Sequence, residues 1–159
     1  MAATLVPFTA DHLTHKYVGW LNDPEVVEFS EQRHVEHNIG TCGAYVQDMR
    51  NNGLLWAILM GSVHIGNISA HTDRHNLNAD ISIMLGEGRG LGFGYSALQQ
   101  VSDELLQFGY RRLTIGTMAR NKPMIAIAQK AGFKVEAVRQ NHFLVNKCGV
   151  AIVHMARFV

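Results

Sequence analysis

No apolar run in this chain is long enough to span a bilayer, and its first residues lack the basic-then-apolar pattern of a secretory leader. The resulting expectation is a soluble cytoplasmic protein with no membrane partner. Charge is sparse: 17% of residues are charged and the formal net charge is +1, which argues against nucleic acid as a partner. Cys42 and Cys148 have no metal-ligand spacing and make no disulfide framework, so they read as ordinary intracellular thiols. Internal repeats, low-complexity tracts and linkers are missing as well. So is any Gly-Lys-Ser or Gly-Lys-Thr, which removes the nucleotide-binding P-loop.

What is present is an apolar, foldable chain. Its 159 residues are 47% hydrophobic, enough to bury a sizeable core, and fit one domain over 1–159. Thr9 is placed to cap a first helix with Leu13, Tyr17, Trp20 and Leu21 on one face. Asn22-Asp23-Pro24 stops it and opens a short second helix, and 38–50 forms a third. Strands are expected at 54–60, 63–71 and 79–85, with Gly61-Ser62 as a hairpin turn. A helix over 95–108 ends at Gly109, and a strand follows at 112–118. Asn121 caps a helix running to 131, with Pro123 in its first turn, and strands at 133–145 and 150–158 close the chain. Helices first, then antiparallel strands, then strand–helix–strand–helix–strand–strand is an α/β (α+β) pattern.

Arg89-Gly90-Leu91-Gly92-Phe93-Gly94 joins the apolar strand 79–85 to an amphipathic helix. Alternate glycines let the backbone approach a ligand closely and take torsions that side chains forbid. The helix start adds unpaired N–H groups and a partial positive charge, so the junction suits a phosphate. The third glycine falls one place early for the dinucleotide fingerprint, and the loop sits too late in too short a chain for two mononucleotide halves.

The loop resembles the [QR]-x-x-G-x-[GA] motif of the GNAT superfamily of acyl-CoA-dependent N-acetyltransferases. Other segments resemble the same family in order: Trp20-Leu21-Asn22-Asp23-Pro24, His64-Ile65-Gly66-Asn67-Ile68, Asn121, and Lys130-Ala131-Gly132-Phe133. The helix pair around Trp20 is similar to the branch acting on ribosomal-protein N-termini and sugar amines. The resemblance implies a single domain with a mixed, mostly antiparallel sheet flanked by helices, and a splayed strand pair that holds acetyl-CoA. It implies cofactor contacts at Met84 and Leu85, at Arg89, Gly90, Leu91, Gly92, Phe93, Gly94 and Tyr95, and at Asn121 and Lys130. The Leu85 N–H would stabilise the oxyanion. No metal is implied, and a homodimer is a common state of such relatives.

An ammonium must lose a proton before it attacks a thioester. Asp80 and His75 are the candidates for that base at the start of strand 79–85, while His71 and His75, four apart, read as solvated. Glu28, Glu31, Arg33 and His142 are candidates for holding the acceptor, a small-molecule amine. Arg33 and His34 could meet the phosphate of a nucleotide-linked amino sugar. The alternatives are a ribosomal N-terminus as acceptor, or a non-catalytic acyl-CoA-binding protein. Two departures bear on the last. The Tyr and Ser positions that supply a proton to the thiolate in relatives are Ala128 and Met124 here.

Overall fold

A computed structural model of the chain describes residues 2–159. Its strands are β1 (Thr4–Pro7), β2 (Gly53–Met60), β3 (Val63–Asp73), β4 (Asn78–Leu85), β5 (Arg112–Met118), β6 (Lys134–Val145) and β7 (Cys148–Phe158). Its helices are α1 (His15–Leu21), α2 (Ile39–Asn52), α3 (Phe93–Gln107) and α4 (Lys122–Lys130). The strands form one sheet in the order β1-β2-β3-β4-β5-β7-β6. Every pairing is antiparallel except β4 with β5, which are parallel and joined by α3.

The sheet separates two apolar layers. On one face Ala97, Leu98, Val101 and Leu105 of α3 are fully buried against Ile81, Leu113, Ile115 and Met155. Each large aliphatic side chain there stabilises the fold by about 1.5–3 kcal/mol. On the other face Tyr17, Val18 and Trp20 of α1 meet Cys42 and Val46 of α2 over Ala57. Gly109 and Gly132 take the left-handed torsions expected after α3 and α4 (φ +100° and +91°). The β6–β7 hairpin turns on Asn146 and Lys147, both at positive φ.

Three elements differ from the sequence reading. β1 was not expected: it is a four-residue edge strand ending in proline, too short for a period to show. Thr9 precedes only a 3-10 turn, Ala10–His12, and the helix proper starts at His15, where Thr14 accepts from the Tyr17 N–H. Residues 24–30 make turns instead of a second helix. The Asp23 side chain accepts from the Glu25 N–H, and a short acid that binds its own backbone competes with helix in this way.

The feature that positions the site is a parting of the sheet. β4 pairs with β3 along its whole length, and β5 with β7 along its own. Between β4 and β5, however, the register covers only Asn78–Asp80 against Arg112–Thr114. Beyond Asp80 the two strands diverge, so Ile81–Leu85 and Ile115–Met118 face each other across a gap.

Candidate active site

Alternation along β4 decides which backbone groups face that gap. In an antiparallel pair, every second residue spends its N–H and C=O on its neighbour. The Gly86 N–H donates to the Ile65 carbonyl, so in the same register Met84 and Ser82 bond β3. Leu85 and Ile83 therefore turn their backbone groups toward the gap. Met84 lines the gap with its side chain. Buried backbone groups need partners, and an extended ligand laid along β4 would supply them.

At the open end of the gap lies the glycine loop. Gly90 and Gly92 sit at φ +77° and +88°, and Gly92 is the N-cap of α3. α3 starts two residues earlier than expected, and its first helical bond runs from the Ser96 N–H to the Gly92 carbonyl. The amides of Phe93, Gly94 and Tyr95 thus lie ahead of the helical ladder, and no side chain caps them. By contrast, Thr14, Asn38 and Asn121 each cap their own helices with a side-chain oxygen. Uncapped donors at the positive end of a long helix suit a diphosphate.

A cavity of about 690 Å³ runs from this loop through the gap to the opposite face of the sheet. Gly90, Gly94, Asn121, Met124 and Ile127 line one end. Tyr45, Ser69, His71 and Ser82 line the other, with Glu25 and Glu28 from the turns before α2. Because the sheet is open here, residues of both faces share one chamber, and two reactants can meet from opposite sides. Burial pushes the Tyr17 and Tyr45 hydroxyls and the Cys42 thiol upward, so all three line the chamber as neutral groups. The Tyr45 hydroxyl donates to Ser69 Oγ at 3.3 Å.

The structure distributes the residues singled out in the sequence unevenly. Asn121 lines the chamber and caps α4, accepting from the Met124 N–H while its amide donates to Thr117 Oγ1. Arg89 also lines it, but its Nε donates to the Leu85 carbonyl and its Nη1 to the Glu25 carbonyl, tying the glycine loop to the turns before α2. Lys130 lies 4.2 Å over the Tyr95 ring. Glu28 reaches the chamber. Glu31 is held by Arg33 at 2.8 Å and His34 at 2.9 Å, and Arg33 also donates to the Ser30 and Leu144 carbonyls. Arg33 thereby links its own turn to β6, while His34 stays within the turn on Glu31. His142 is exposed, with its ring edge-on to Phe143, and does not line the chamber.

The two expected bases are likewise not brought to the chamber. Asp80 accepts from Thr114 Oγ1 at 2.6 Å, fastening the base of the splay. His75 is exposed in the β3–β4 turn, at the far end of β4 from Leu85. Ser69 and Ser82 carry no role in the sequence reading, where His71 reads as solvated and Asn67 only as part of a strand motif, yet all four line the chamber. Their signal is polar residues at every second position of two paired strands, which marks one polar face.

A sheet parted between two parallel strands, with an uncapped glycine-led helix at the mouth, defines the acyl-CoA transferase class. The acetyltransferase (GNAT) domain family matches residues 3–134, and the chain belongs to it: it is an acetyl-CoA-dependent N-acetyltransferase. Similar solved structures include a spermidine N-acetyltransferase from Vibrio cholerae in complex with CoA and spermine (TM-score 0.87, 13% identity, covering 98% of this chain and 95% of that one). They also include a phosphinothricin acetyltransferase from Sinorhizobium meliloti in complex with acetyl-CoA (0.83, 20%, 100% and 89%). A ribosomal-protein-alanine N-acetyltransferase from Brucella melitensis is a third (0.84, 16%, 98% and 99%). No curated protein matches the chain in sequence. Among the described residues, no helix is long and apolar enough to cross a membrane.

Proposed function

We propose that this protein acetylates the primary amine of a small hydroxylated molecule, an amino sugar foremost, and that it works in the cytoplasm. The observation that carries the reading is the make-up of the acceptor end of the chamber. Glu25 and Glu28 supply negative charge for an ammonium, and Tyr45, Ser69, Ser82 and Gln32 supply hydroxyl and amide groups for ring hydroxyls. Arg33 and His34 are engaged with Glu31, so the reading favours an amino sugar without a phosphate over a nucleotide-linked one.

Acetyl-CoA supplies an activated acyl thioester. The amides of Phe93, Gly94 and Tyr95 would hold its diphosphate. Leu85 and Ile83 would pair with the pantetheine, and the Ile83 N–H, nearer the acceptor end of β4, would face the developing oxyanion. Asn121 and Met124 would wall the thiol end. Free cysteines, one buried and one exposed, suit a reducing compartment.

Calorimetry with acetyl-CoA, followed by thiol release across a panel of amino sugars, polyamines and ribosomal N-terminal peptides, tests the proposal. Binding of acetyl-CoA with preference for amino sugars is expected. Preference for polyamines or peptides would replace the acceptor assignment, and failure to bind acetyl-CoA would remove the whole reading. Glu28→Gln should raise KM for the amine about tenfold, as expected for losing roughly 1.4 kcal/mol of charge-assisted binding. An unchanged KM would exclude Glu28 from the acceptor site.

A further inference from the structure

We infer that His71 is the general base that deprotonates the acceptor amine, a role that rests on the acetyl-transfer reading above. The argument is one of placement. Proton removal needs a chamber-lining group near the parted strands that can accept a proton at neutral pH. The Tyr17, Tyr45 and Cys42 groups are pushed upward by burial and hold their protons. His37 also lines the chamber, but both of its ring nitrogens are engaged, Nδ1 with Thr41 Oγ1 at 3.1 Å and Nε2 with Gln32 Oε1 at 2.7 Å. Glu25 and Glu28 stand on the turns before α2 and not on the sheet.

His71 is different. It sits on β3, two residues from Ser69, whose register partner Ser82 lies on β4 just past the point where the sheet parts. Its side chain is half-exposed and lines the chamber. The titratable groups next to it are Asp48 from α2 and Asp80, its register partner on β4; its β2 neighbour is Gly53, which carries none. Asp48 Oδ2 lies 3.8 Å from Nε2. That separation is beyond hydrogen-bond length, and among the described residues neither ring nitrogen of His71 has a hydrogen-bond partner, so the neutral imidazole has a ring nitrogen free to accept a proton.

The step balances as follows. The unprotonated ring nitrogen of His71 takes one proton from the ammonium, and the freed nitrogen lone pair forms the C–N bond at the thioester carbonyl carbon. The tetrahedral oxyanion then collapses and breaks the C–S bond. The sulfur leaves with that bond's electron pair and gains the proton that the new amide nitrogen sheds. The imidazolium returns the first proton to water.

The test is His71→Gln, assayed for amide formation across pH and for acetyl-CoA affinity. At neutral pH kcat/KM should fall by about 10²–10⁴-fold with acetyl-CoA affinity unchanged. The deficit should shrink as pH rises toward the range where the amine loses its proton unaided. It should also shrink with a weakly basic aryl amine, which is already neutral. A variant as fast as the wild type, or a deficit that is the same at every pH and for both amines, overturns the assignment. If the wild type binds acetyl-CoA yet acetylates no amine, the acetyl-transfer reading itself is overturned, and that result is distinct from the other two.

Discussion

Replacing Gly92 by valine is expected to weaken acetyl-CoA binding by more than about a hundredfold while the protein stays folded. Gly92 is the N-cap of α3 at φ +88°, ψ +1°. An L-residue in that region costs about 1–3 kcal/mol, and a β-branched one is a genuine outlier. The loop will relieve the strain by rotating toward negative φ. That rotation turns the first peptide planes of α3, whose amides are the proposed diphosphate donors. Hydrogen bonds to a charged group are worth about 1.5–3 kcal/mol each, so two misaligned donors account for the loss. The residue is exposed, so little core packing is disturbed. Calorimetry of wild type and variant with acetyl-CoA, alongside thermal melts, checks it. Equal affinities would place the diphosphate elsewhere.

The second large effect concerns stability. Gly86→Ala should lower the stability by about 2–3 kcal/mol, in the range of overpacked cores. A Cβ built on Gly86 would overlap the Trp20 indole, which is 6% exposed and pressed on the end of β4. The ring has little room to retreat: it stacks edge-on against His64 at 5.0 Å, and the Lys16 ammonium lies 5.4 Å from its centroid. Lys16 is itself fixed, donating to the His64 carbonyl at 2.7 Å. In a protein of this size the midpoint should drop by about 5–10 °C. Because Gly86 follows Leu85, the displaced strand end should weaken acetyl-CoA binding too. A melting temperature within a degree of wild type would show that α1 is free to shift.

How the two sides of the site became legible differs. The glycine loop could be read directly, since left-handed torsions and a helix start without a side-chain cap depend on neighbouring residues. Asn121 as a cap, and Gly109 and Gly132 as helix ends, follow from the same local logic. The acceptor side depends on pairings distant in sequence. Arg33 reads as a free cation until the Leu144 carbonyl arrives from β6 to receive it. Asp80 reads as a base until Thr114, from the neighbouring strand β5 more than thirty residues on, donates to it. His71 reads as a solvated residue until β3 carries it beside Asp48 of α2.

Local chemistry in this chain was thus sufficient to specify the α/β order and the glycine-led helix start, because torsions, caps and strand periods act over a few neighbouring residues; the family was legible through the resemblance of its ordered motifs. Which polar side chains remain available to a substrate was settled only on folding. A charged or polar group is consumed by whichever partner the fold delivers to it, and the parting of β4 from β5 beyond Asp80 exists only once the two strands are aligned by β3 and β7.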